Sequence, residues 1–187
     1  MADVDKIIEF WFGSKLEPKS QSFWFNGGES FDVLVTKTFK STYDQVLGSD
    51  LKPFQNDPYG SLALILLFDQ FPRHFFRGTS RMFSTDALAL DIARICVVNG
   101  QDQILPKAMR AFLYLPFEHS EDLNDQKKSL ELFNSLEDAV LISYARSHYK
   151  TVEKFGRFPH RNAILGRKMT LEEEAFLKNP PAGFFAG

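Results

Sequence analysis

The chain has 187 residues, of which 44% are hydrophobic and 14% aromatic, with 20 Phe. That is enough apolar length for a sizeable core, and it excludes a disordered chain. A net charge of −2 excludes the broad basic face that general nucleic-acid binding requires. With Cys96 as the single cysteine, an internal disulfide and an all-cysteine zinc site are excluded too.

The opening MADVDKIIEFWFG is an amphipathic helix with Val4, Ile7, Ile8 and Trp11 on one face and Gly13 as its stop. It reads as neither a signal nor a transit peptide. Residues 14–30 read as loop, with FWFN (23–26) as an aromatic anchor. Phe31, Leu34, Val35, Thr38, Phe39 and Val46 mark a second helix ending near Gly48. Asp57-Pro58 is an N-cap followed by proline at the first helical position. The following SLALILLFDQF is apolar all round and reads as the central buried helix; it is far too short to span a bilayer. A cytoplasmic protein without membrane contact is expected.

Pro72 ends that helix. Ser84 or Thr85 caps the next, which carries Cys96 as a buried small hydrophobe and runs to about Asn99-Gly100. Pro106 opens a short helix and Pro116 closes it. Ser120 caps another, with Leu123, Leu130 and Phe133 inward. Ser135 and Asp138 form a start resembling a capping box for a long helix to Phe155. Thr170 with Glu173 is a full capping box for a last short helix, and residues 179–187 form a tail anchored by Phe184 and Phe185. The expected fold is all-α: about eight helices in packed antiparallel hairpins, one domain over 1–187.

Polar residues on apolar faces are the informative ones, because each needs a partner once buried. Asp69 and Gln70 end the most hydrophobic helix. His148 interrupts the stripe of Leu141, Tyr144, Ala145, Val152 and Phe155, and Gln126 that of Leu123, Leu130 and Phe133. Candidate partners gather in three places: Arg73, His74, Arg77 and Arg81; Glu118, His119, Glu121 and Asp122; and Arg157, His160, Arg161 and Arg167. Segments 71–90 and 158–177 share a plan: Phe-Pro, a basic pair, a glycine, an arginine, a methionine, then a helix start with threonine and an acid. Such a turn sets arginines beside the positive end of a helix, where an anion is favoured. Equally, the arginines tie buried carboxylates together. No His pair has metal-binding helical spacing, so no metal site is expected. No phosphate-loop, dinucleotide or nucleophile-elbow motif is present, and no cofactor is assigned.

LALILLFDQFPRHFFRG, STDALAL, FLYLPFEHSEDLNDQ and FGRFPHRNAILGR followed by MTLEEEAFL, with IIEFWFG at the start, together resemble the family called domain of unknown function 924. The resemblance covers essentially the whole chain and implies a compact all-α, tetratricopeptide-like fold. It carries no established activity. One departure is His74, where the family pattern has asparagine.

Two functional readings follow. In the first, Arg73, Arg157 and Arg161 hold a small anionic molecule, with His148 lining the site. His119 or His160 moves a proton, Glu121 or Asp122 orients it, and Asp69 positions an arginine; the chemistry is of hydrolase or transferase type. In the second, the helical array binds a peptide or protein through Trp11, Trp24 or Phe184, and the polar clusters are structural.

Overall fold

The computed structural model describes residues 3–180, the side chains of residues 25 and 26 excepted. Phe184 and Phe185 lie outside the described residues. Among the described residues there is no strand. The α-helices are α1 (Val4–Phe12), α2 (Phe23–Asn26), α3 (Gly28–Leu47), α4 (Lys52–Gln55), α5 (Pro58–Ile65), α6 (Pro72–Phe75), α7 (Asp86–Val98), α8 (Lys107–His119), α9 (Leu123–Asn134), α10 (Ala139–Phe155) and α11 (Leu171–Leu177). Two compact units are formed, one by Met1–Arg77 with Arg81–Pro116, the other by Gly78–Ser80 with Phe117–Gly187. The last division, between Pro116 and Phe117, falls inside α8.

In the first unit, α1 begins at Asp3, whose side chain accepts from the Lys6 N–H. It ends at Gly13, where φ is 74°, a left-handed turn that glycine adopts without penalty. Ile7, Ile8, Trp11 and Phe12 are buried. Burying a large aliphatic or phenyl side chain contributes roughly 1.5–3 kcal/mol before conformational entropy is deducted. Asp57 caps α5 through the Gly60 N–H at 3.0 Å. Every residue from Gly60 to Asp69 is buried, so the central helix is as expected. It packs against α1 and α7.

After Ile65 the helix widens into a π-turn over Leu66–Gln70, with the Phe71 N–H reaching the Leu66 carbonyl. Proline supplies no N–H, so Pro72 cannot donate to the Phe68 carbonyl four residues back. The Thr85 hydroxyl donates to that carbonyl instead, at 2.6 Å. This is why Thr85, at the N-cap position of α7, makes no side-chain cap bond there.

Pro116 does not close α8: the helix continues to His119. Phe117 and Glu118 are buried. The Gln126 amide donates to the carbonyls of Phe117, Glu118 and Ser120 at 3.4, 2.7 and 2.7 Å, tying off the last turn.

In the second unit, α9 packs along α10. Two caps differ from expectation. Asp122, not Ser120, caps α9 by accepting from the N–H groups of Asn124 and Asp125. Asp138 alone caps α10, while Ser135 belongs to the end of α9 and donates to the Leu132 carbonyl. In both cases the carboxylate accepts two N–H bonds at once, which a hydroxyl engaged elsewhere does not match. The Thr170–Glu173 capping box is present at α11. Val152 and Phe158 form a buried pair with Phe176 packed against it.

Candidate functional site

Each Phe-Pro turn places an arginine against an acid in the first turn of the helix that follows. In the first unit, Arg73 forks Asp86, the first residue of α7, at 3.0 and 3.1 Å. It also pairs with Asp69 at 3.4 Å and donates to the Asp69 carbonyl. Asp69 and Arg73 are both buried. Burial pulls the Arg73 pKa down, but Asp69 and Asp86 outweigh it and raise it. These two residues, expected to hold a ligand, are committed to an ion pair within the first unit.

In the second unit the corresponding clamp uses the arginine before Phe-Pro. Arg157 forks Glu173 at 2.6 and 2.8 Å and donates to the Lys168 carbonyl. Arg157 holds the Glu173 carboxyl down at about 2, the capping-box bonds from Thr170 adding to the effect. Glu121 is taken by Arg167 at 2.7 and 2.9 Å and by the Phe158 N–H at 2.8 Å. Burial raises the Glu121 pKa, but Arg167 and the Phe158 N–H bring it below the usual carboxylate range. Arg157 therefore goes to Glu173, Glu121 to Arg167, and Asp122 to its own helix cap.

The second unit gathers His148, His160 and Arg161 around Phe158. The Phe158 ring, fully buried, meets the His148 imidazole edge-on at 5.4 Å and the His160 imidazole at 5.7 Å. The guanidinium carbon of Arg161 lies 4.7 Å from the same ring centre, a cation–π contact. Arg161 is itself only 8% exposed. The Phe158 backbone is pinned on both sides, its N–H by Glu121 and its carbonyl by Arg167 at 3.1 Å.

Burial pushes the His148 pKa down to about 4; the bond to the Tyr144 carbonyl opposes this, while His119 and Arg161 add to it. Burial likewise pushes His160 down to about 3, with the Arg161 charge next in weight. Both imidazoles are therefore neutral at neutral pH. His119, the last residue of α8, bears electrostatically on both.

Glu118 was among the candidate partners read from the sequence, but was given no role in the site. It is 5% exposed and stands 3.3 Å from His148 Nδ1, which also meets the Tyr144 carbonyl at 2.9 Å. The carbonyl only accepts, so the neutral His148 carries its proton on Nδ1 and its lone pair on Nε2. The signal was present in the spacing: Glu118 lies four residues after the buried Tyr114, on the inner face of α8. Among the described residues no group of three or more His, Cys, Asp or Glu is arranged to hold a metal ion.

These features define an all-helical protein whose Phe-Pro turns are locked by arginine–carboxylate forks, with a histidine–arginine group in its second unit. The chain belongs to the bacterial proteins of unknown function called DUF924, whose family model matches residues 7–181, in agreement with the resemblance read from the motifs. A solved structure of a protein of unknown function from Agrobacterium tumefaciens is similar at 36% identity and a TM-score of 0.87. The match covers 95% of this chain and 97% of that one. No curated protein matches.

Proposed function

We propose that the second unit binds a small anionic molecule at the group around Phe158, and that His148 and His160 carry out proton transfer there. The observation that carries this reading is the convergence of two neutral imidazoles and one buried guanidinium on a single phenyl ring. Arg161 supplies the positive charge for the anion. His148 and His160, held neutral beside it, accept a proton from the bound molecule or from water. His119 acts on both and takes part in the same exchange. The chemistry this suits is acid–base catalysis of hydrolase or transferase type. Asp69, Arg73, Arg157 and Asp122 are left out of the site because their side chains are spent on the fold.

The rings named for peptide or protein binding support that alternative less well. Trp11 is 1% exposed, and Trp24 gives its indole N–H to the Trp11 carbonyl at 3.0 Å.

A thermal-shift series with inorganic phosphate, phenyl phosphate, citrate and acetate at fixed ionic strength tests the reading. A ligand at ten times its Kd stabilises by about 1.4 kcal/mol, a shift of about 3–5 °C for a chain of this size. Arg161→Gln and His160→Gln should remove the shift. Equal shifts in wild type and both variants, or none for any anion, overturn it.

A further inference from the structure

The first unit holds a second histidine–carboxylate pair with a different chemistry. His74 on α6 meets Asp32 on α3 through Nδ1 at 2.7 Å. Arg77 forks the same carboxylate at 2.6 and 2.9 Å. Burial raises the Asp32 pKa, but Arg77 and His74 outweigh it and keep the group ionised. An ionised carboxylate accepts and never donates, so Asp32 fixes the His74 proton on Nδ1 and leaves the lone pair on Nε2. Burial lowers the His74 pKa more than Asp32 raises it, and the ring is neutral at neutral pH. The ring plane is set by edge contacts to Phe31 at 5.1 Å and to Trp11 at 6.2 Å.

Trp11 offers the complementary group. Its side chain is 1% exposed, and its Nε1–H has no hydrogen-bond partner. A buried donor of this kind is costly to leave unmade. Its ring neighbours Phe23, Phe31, Phe71 and Phe112 are hydrocarbon, and His74 is the polar ring beside it.

We propose that Trp11 and His74, with Asp32 behind His74, form a binding site for a neutral hydroxyl compound, an alcohol or phenol. Its oxygen accepts from Trp11 Nε1–H, and its O–H donates to His74 Nε2. The selectivity follows from the donors and acceptors available. A hydroxyl offers both functions on one oxygen; a carboxylate lacks the donor and an ammonium lacks the acceptor. The surrounding phenyl rings favour an apolar or aromatic body. The carboxylate on Nδ1 raises the basicity of Nε2. The Asp32 and His74 side chains are 14% and 12% exposed and Arg77 46%, so solvent reaches the carboxylate–imidazole pair.

The test is NMR on the full chain. The Trp11 indole N–H resonance, assigned by its survival in Trp24→Phe, is followed during titration with phenol, toluene and benzoate. Phenol should shift it saturably, with toluene and benzoate at least tenfold weaker. The imidazole 15N spectrum should show His74 protonated on Nδ1. In Asp32→Asn the amide donates to Nδ1 and moves the proton to Nε2, so phenol should bind at least tenfold more weakly. A wild-type His74 protonated on Nε2, a phenol response that does not saturate, or equal affinity for phenol and toluene overturns the proposal.

Discussion

Mild acid should destabilise this protein through its buried histidines. His148 and His160 are held neutral in the fold, their values pushed down to about 4 and about 3 chiefly by burial. An unfolded chain protonates histidine near pH 6.5. Below that pH the unfolded state binds more protons than the native state, so stability falls with pH at about 1.36 kcal/mol per unit for each group. Between pH 7.5 and 5.0 each histidine costs about 2 kcal/mol, and the two together about 4. That is a large part of the roughly 5–15 kcal/mol that holds a typical native state together. Asp32, Glu121 and Glu173 have lowered values. Their stabilisation is present above the unfolded carboxylate range near pH 4 and is lost only as pH falls further, so this window isolates the histidines.

The assay is urea unfolding at pH 7.5 and 5.0 for wild type, His148→Gln and His160→Gln. Glutamine keeps an N–H for the Tyr144 carbonyl that His148 meets but does not titrate. Each variant should lose about 2 kcal/mol less than wild type between the two pH values. His74 is present in all three proteins and cancels. An equal loss in wild type and His148→Gln would refute the assignment of His148 as a buried neutral imidazole.

Two further outcomes concern the turns that carry the sites. Thr85→Val should cost about 1–3 kcal/mol in urea unfolding, because the Phe68 carbonyl then has neither a Pro72 N–H nor a hydroxyl to accept from; Thr85→Ser should recover most of it. Thr170→Ala should cost about 1 kcal/mol by removing the hydroxyl that accepts from the Glu173 N–H, with faster amide exchange confined to 171–177.

The chain order shows most of the helix boundaries because their causes are local. Asp57, Asp138 and the Thr170–Glu173 box cap backbone groups within three residues of themselves, and Gly13 and Gly156 end helices with a left-handed residue. The all-apolar stretch from Gly60 onward identifies the buried helix for the same reason. Where a local rule failed, a distant group had claimed the side chain or the carbonyl. Thr85 reaches back seventeen residues to Phe68, and Gln126 holds α8 together past Pro116.

The pairing of charges was not legible in this way. Composition marked His148, His160 and Arg161 as candidates, but not that one phenylalanine would gather them. Asp32 meets His74 across 42 residues, and Glu121 meets Arg167 across 46. At such separations any arginine is chemically suited to any carboxylate, and the choice falls to whichever pair the packed helices bring within hydrogen-bond reach. The sequence by itself determined where the helices start, which faces they bury and that polar groups would be trapped beside Phe-Pro breaks. Only the tertiary structure decided which of those groups pair with one another and which meet at Phe158 or beside Trp11, because burial and partner geometry are properties of the packed chain.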